Sequence, residues 1–362
     1  MWHWLTLLIM TVMTSTTGNN LISVCPGVGI QPRNNDFAGQ GYILTAWNRS
    51  SLWVYEVRRN ARYPLPDSAP CYYNCHLSPD RRLLTYLNTT ENAFGVMHID
   101  GTSRRVIAPY ATEVSWWSED WWLVWQVNGG AYLQNIETGM TEPLPLNHAI
   151  LLQPNGFWGI EINYVGDQFI RSLVNIQDNR QPPIVLGIDM PYYNAASWSS
   201  DGEWMATVIP ILSGDDTYTA EIIGVHPQDQ TITQWTNFSQ QYGAVRIGGH
   251  SPRGLSWSPD NRYLAFWVIP LTEAPVGQIH ILDTQTGTIR VYCDYVTSEH
   301  TPNPPHLVWS PDGEYLAFSD KDPLTNQTLL LALNVESGIF TQLSADVAAV
   351  FSRPDVFAWG MP

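Results

Sequence analysis

Two stretches of the chain carry the same tripeptide, Tyr-Tyr-Asn: Tyr72, Tyr73 and Asn74 in "CYYNC", and Tyr192, Tyr193 and Asn194 in "MPYYNAA". Paired tyrosines beside an amide offer apolar rings with polar tips, a surface suited to sugar rings or to peptide. One tyrosine of each pair can equally serve as packing beneath a neighbouring element. His250, His300 and His306 fall in similar connecting segments and are candidate ligand contacts. Asp215 with Asp216, and Asp320 with Asp322, could chelate calcium together with loop carbonyls, although solvated loop acids are the commoner role. Cys71 and Cys75 bracket the first tripeptide and can close a small loop, which would leave Cys25 for Cys293. Four cysteines allow three pairings, and unpaired buried thiols are the alternative. No Cys/His spacing matches a zinc site, and no Gly-x-Ser-x-Gly nucleophile elbow occurs. Neither cofactor nor metal is therefore expected.

What must position these residues is a repeated unit. "WSPDNRYLAF" at 257–266 and "WSPDGEYLAF" at 309–318 share eight of ten positions. Variants follow at 77–86 ("LSPDRRLLTY"), 117–125 ("WSEDWWLVW"), 153–162 ("QPNGFWGIEI") and 198–207 ("WSSDGEWMAT"). The turn residues Asp80, Asp120, Asn155, Asp201, Asp260 and Asp312 are spaced 40, 35, 46, 59 and 52 apart. Such periods, with β signals, indicate propeller blades. After each turn comes an apolar strand and then a hairpin outline, as in "GQIHILDTQTGTIRVY" (277–292), so each unit reads as four strands, A to D. In Ser-Pro-Asp-Gly, Pro presets φ, Asp accepts from nearby N–H groups and Gly takes the left-handed conformation. The Trp before the turn and the strand after it are expected to pack between adjacent sheets. Alternation assigns at least half of the tryptophan run at 115–125 to that core.

One blade cannot bury both its faces, so the row must close on itself to remove exposed edges. Residues 41–65 have the later strands of a unit without its turn, and 347–360 have an innermost-strand pattern with nothing after it. Joined, they supply a composite blade. The expected fold is all-β: a seven-bladed β-propeller of four-stranded antiparallel blades, forming one domain over 41–362 behind an extension at 19–40. No 3.6 period is sustained after the first residues, so helices should be scarce.

The Ser-Pro-Asp-Gly repeat resembles that of the TolB-type propellers, the WD-like repeats of bacterial envelope proteins. The resemblance spans roughly residues 41–360, is strongest at 198, 257 and 309, and degenerates at 117 and 153. It implies a propeller and an envelope or extracellular setting; it implies no activity, because the motif residues build turns.

Composition agrees with a β-rich chain: 17 Trp and 17 Tyr against 14% charged residues favour half-buried pleated surfaces. The formal charge of −16, with Lys321 the sole lysine, argues against nucleic acid and acidic membrane as partners. Residues 1–18 read as a secretory signal, since the apolar stretch from Trp4 to Met13 suits an h-region and falls short of the roughly 20 residues of a membrane span. After its removal no transmembrane span is expected, and the protein should be secreted or lie in the cell envelope.

Because strands alternate direction, the tight A–B turns share one face with the C–D links, and the B–C and D–A connections share the other. The long, variable segments, 208–219, 268–278 and 319–328 (B–C) and 66–75, 236–253 and 294–306 (D–A), all fall on that second face. Long loops on a rigid scaffold are where binding usually resides. The expected role is non-catalytic binding of a protein, peptide or glycan there. A lyase or glycosidase acting on a polysaccharide is the first alternative, since carboxylate pairs can be built from any blade. A structural scaffold of an envelope assembly is the second.

Overall fold

The computed structural model describes residues 14–15, 19–48, 51–69, 71, 75–127, 129–145, 149–212, 217–248, 254–273, 275–297, 304–322, 325, 327–345, 349–350, 353–354 and 356–362. The chain is all-β, with seven small, mainly antiparallel sheets of the seven-bladed propeller class. These sheets fall into two compact units, one of Met1–Val24 with Leu146–Pro304, the other of Cys25–Pro145 with Pro305–Pro362.

The second unit holds four sheets. One is the composite blade: Val356–Gly360 pairs antiparallel with Tyr42–Asn48, which continues through Ser51–Glu56 to Ala61–Leu65. The strand order is the one expected from joining the two chain ends. The others are Leu83–Asn88 to Arg105–Pro109, Ala111–Trp116 to Thr141–Leu144, and Val308–Trp309 to Phe340–Ser344. The first unit holds three: Trp158–Val165 to Ile184–Ile188, Ala196–Trp198 to Thr231–Gln234, and a sheet running from Val245–Ile247 and Leu255–Trp257 to Ile289–Thr297. Two blades reduce strand A to a single bridge, Leu77 to Leu84 and Ile150 to Ile160.

Each face of a sheet is apolar, so neighbouring sheets share their cores. Leu44, Val54 and Ala358 of the composite blade pack with Leu84, Tyr86 and Met97 of the next. Ala206, Val208 and Ile222 pack with Leu264, Phe266 and Leu282. At roughly 1.5–3 kcal/mol for each large side chain removed from water, this packing is the main force that stacks blade on blade. Within the tryptophan run, Trp117 and Trp122 are buried, while Trp116, Trp121 and Trp125 are half-buried.

Four A–B turns share one hydrogen-bond design. Ser78, Ser199, Ser258 and Ser310 each donate the hydroxyl to the turn aspartate, Asp80, Asp201, Asp260 or Asp312. Each serine oxygen then accepts the N–H that opens strand B, from Leu83, Trp204, Tyr263 or Tyr315 at 2.8–3.0 Å. The left-handed residue is Arg81, Gly202, Asn261 or Gly313. The two degenerate turns depart from this. In "QPNG" the left-handed residue is Asn155 itself, and Gln153 takes the serine's place, its Oε1 accepting from Trp158 N at 3.3 Å. Asp120 receives no such bond from the hydroxyl of Ser118 and instead donates its own N–H to it.

Two findings differ from the sequence reading. Residues 236–253, read as a loop, contain a short helix α1 (Phe238–Tyr242) and the strand Val245–Ile247. The alternation of buried Val245 and Ile247 about Arg246 lets this segment extend the inner edge of Tyr263–Pro270. The N-terminal extension is structured as well: Leu21–Val24 and Ile30–Pro32 add in parallel to the outermost strands Ile289–Thr297 and Phe340–Ser344. No described helix is long and apolar enough to cross a membrane. No cysteine is free: Cys71 is bonded to Cys75, and Cys25 and Cys293 are disulfide-bonded.

Candidate functional site

In the first unit, one buried cation ties two neighbouring blades together beside the connection that joins them. Arg171, on the strand Gln168–Asn175, is 2% exposed. Its guanidinium donates to the carbonyls of Asn194 (3.0 Å) and Val208 (2.6 Å) and to the hydroxyl of Thr207 (3.2 Å), and reaches the carbonyl of Tyr193 at 3.5 Å. Asp189 lies 3.5 Å from Nε, too far for a good hydrogen bond but close enough to offset the charge. Burial pushes the Arg171 pKa down to about 10, against the pull of Asp189. The group therefore stays protonated at neutral pH.

This anchor fixes the second Tyr-Tyr-Asn segment. Tyr193 is buried, and its hydroxyl donates to the Tyr218 carbonyl at 3.2 Å. Asn194 donates its amide to Asp189 at 3.2 Å. Tyr192, in left-handed conformation, keeps its ring half-exposed beneath the Arg246 guanidinium, 4.8 Å away. So of the three residues, two are committed to the scaffold, and Tyr192 with Arg246 forms a small cation–π surface. Tyr72, Tyr73, Asn74, His250, His300, Asp215 and Asp216 lie outside the described residues.

Beside Tyr242 of α1 sits His280, fully buried on Gly277–Asp283 and enclosed by Phe238 and Phe266. Its Nδ1–H donates to the Gln278 carbonyl (3.1 Å), which leaves Nε2 to accept from the Tyr242 hydroxyl (3.1 Å). Burial pushes its pKa down to about 4. It is a neutral core imidazole. Buried Glu221 accepts the N–H groups of Phe238 and Ser239 and the Thr236 hydroxyl, so it caps α1 in place of Asn237.

The same end of this unit carries a feature absent from the sequence reading. The B and C strands of one blade, Trp158–Val165 and Gln168–Asn175, run past their neighbours as a two-stranded hairpin closed by Gly166 and Asp167. Along it Ile162 (38%), Tyr164 (64%), Val165 (54%) and Phe169 (55%) are exposed. The Tyr164 and Phe169 rings meet at 5.2 Å. A Gly-Asp pair between alternating apolar residues is a hairpin signal. It announces a projection as well as a connection.

In the second unit, His76 and Glu113 pair at 2.7 Å, both partly exposed. The Trp116 indole N–H donates to the His76 carbonyl at 3.0 Å. His306 is buried. Asp320 is buried and accepts from its neighbour Lys321 N, while Asp322 accepts from the Thr325 hydroxyl. Among the described residues, no group of three or more His, Cys, Asp or Glu side chains is placed to hold a metal.

Strand order and sheet pairing together define a seven-bladed β-propeller. TolB from Acinetobacter baumannii is among the solved structures to which the chain is similar, at 12% identity over 95% of this chain and 98% of that one, with a TM-score of 0.44. Oligogalacturonate lyase from Vibrio parahaemolyticus is similar at 12% identity over 86% and 89%, with a TM-score of 0.53. An oligogalacturonate lyase in complex with manganese is similar at 11% over 85% and 86%, with a TM-score of 0.51. At these identities the likeness shows the fold alone. No protein-family model and no curated protein sequence matches the chain.

Proposed function

We propose that this is an exported, non-catalytic propeller that binds a protein or peptide partner through the face carrying its B–C and D–A connections. The observation that carries the reading is the exposed hairpin cluster of Ile162, Tyr164, Val165 and Phe169. Large aromatic and aliphatic side chains presented on a two-stranded support are the anchors that protein interfaces use. Tyr192 under Arg246 adds an amphipathic contact at the same end of the blades. The oxidised cysteines support an extracytoplasmic location. The lyase likenesses extend to fold and supply no catalytic group here.

The test is a peptide and glycan array probed with the full chain and with a Tyr164→Ser/Phe169→Ser double variant. The expected result is peptide binding that the variant loses while its melting temperature is kept. Binding confined to glycans, turnover of a polysaccharide, or silence on both arrays would overturn the reading.

A further inference from the structure

We infer that the inner edge of the hairpin strand Trp158–Val165 is a docking site for an extended peptide of alternating apolar and basic residues, which joins the sheet as an added strand. This rests on the binding role proposed above and names its partner class. The edge is open over a defined length. Ile160 exchanges N–H and C=O bonds with Ile150 at 2.7 Å, so it faces away from Gln168–Asn175. With the two-residue period of a strand, Ile162 and Tyr164 face the same way. Among the described residues nothing pairs with their backbone groups on that side. Two N–H and two C=O groups are thus presented, flanked by exposed apolar side chains. Native edges are ordinarily blunted by lysine, proline or a covering segment. The exposed part of this hairpin carries neither lysine nor proline, and its charges are Glu161 and Asp167.

Another blade of the same unit shows how such an edge is filled. Trp158 and Tyr263 are equivalent, each accepting at its carbonyl from the residue that opens the A–B turn, Gln153 N or Ser258 N. Counting on, Ile162 and Tyr164 correspond to Trp267 and Ile269. In that blade Gly248 N donates to the Trp267 carbonyl at 2.9 Å, and Arg246 lies opposite Ile269 in the antiparallel pairing Val245 to Pro270, Arg246 to Ile269 and Ile247 to Val268. The chain's own occupant of the edge is therefore Val-Arg-Ile: apolar, basic, apolar. Among the described residues the hairpin offers the same register without an occupant, and it adds negative charge, which selects a basic alternating segment. Backbone bonds supply affinity in such additions, and alternate side chains supply specificity.

The probe is a synthetic peptide that alternates Val or Ile with Arg or Lys about a central Val-Arg-Ile, titrated against the full chain by fluorescence anisotropy. Two control peptides carry backbone N-methyl groups on alternate residues, or Glu in place of the basic residues. The expected result is binding that slows amide exchange at Ile162 and Tyr164 and is about tenfold weaker for each control and for Ile162→Pro. Ile162 N–H faces outward, so proline there removes an edge donor without breaking the hairpin. Should that variant not fold, the N-methylated peptide on the parent chain decides. Equal binding of the methylated peptide, no binding of the probe, or a dimer in sedimentation that Ile162→Pro dissolves would overturn the inference. If array binding is still lost in Tyr164→Ser/Phe169→Ser after such a result, the broader reading survives without the added strand.

Discussion

Replacing Arg171 tests whether one buried guanidinium holds the Tyr192–Asn194 connection in place. Its two terminal nitrogens satisfy the carbonyls of Asn194 and Val208 and the hydroxyl of Thr207, at a blade junction where the arginine itself is buried. Arg171→Met removes every donor and leaves the buried Val208 carbonyl and the half-buried Asn194 carbonyl with a partner lost, at about 1–3 kcal/mol for the buried one and less for the other. Asp189 also loses its counter-charge, and breaking a buried charged network of this kind costs about 3–5 kcal/mol altogether. At roughly 2 °C per kcal/mol for a large domain, that is a fall of about 6–10 °C in melting temperature. Arg171→Lys keeps the charge but replaces a planar fork with a point donor, so it should recover no more than about half. Scanning calorimetry at neutral pH gives the first number, and amide exchange at Tyr193, Asn194 and Val208 locates it. If both variants stay within about 0.5 kcal/mol of the parent, or the loss is global with exchange at 193–194 unchanged, the assignment of Arg171 as the anchor is wrong.

Two further outcomes follow from described contacts. His280 is neutral in the fold with a pKa near 4 and titrates near 6.5 when unfolded, so the unfolded state binds the extra proton between these values. Stability should therefore be intact above about pH 6.5 and fall by a few kcal/mol as pH drops toward 4. Urea melts of His280→Gln should show a flatter slope across that window, and an unchanged slope would refute the account. Gly360→Ala places a methyl group 2.2 Å from the Arg81 carbonyl, in the blade that unites the chain ends. A loss of about 1–3 kcal/mol is expected in denaturant unfolding, and a neutral result would mean that this contact relaxes freely.

Much of the architecture was legible because turn chemistry is local. Ser310, Pro311, Asp312 and Gly313 specify their own conformation, so the blade count and the joining of 41–65 with 347–360 could be read without long-range information. Even the degenerate "QPNG" kept a turn, though Gln153 took over the serine's acceptor role by a route that residue type does not announce. The candidate site was less legible. Tyr192 and Tyr193 are neighbours of one type, yet the fold buries one and leaves the other half-exposed, and Arg171, whose guanidinium reaches the Tyr193 carbonyl, lies 21 and 22 positions upstream. The projection at 158–175 has no long-loop signature, because its variable element is two elongated strands joined by the tightest of turns. The outer parallel strands Leu21–Val24 and Ile30–Pro32 pair across more than 200 residues, with no local signal of a partner.

The pairing of Val356–Gly360 with Tyr42–Asn48 also sets an order of events during synthesis. Tyr42–Asn48 leaves the ribosome about 300 residues ahead of its inner neighbour Val356–Gly360. At about 5–20 residues per second, the nascent chain carries an unmated apolar strand for tens of seconds. A holding chaperone, or continuous threading across a membrane, would be needed to keep it from pairing with the wrong chain during that interval.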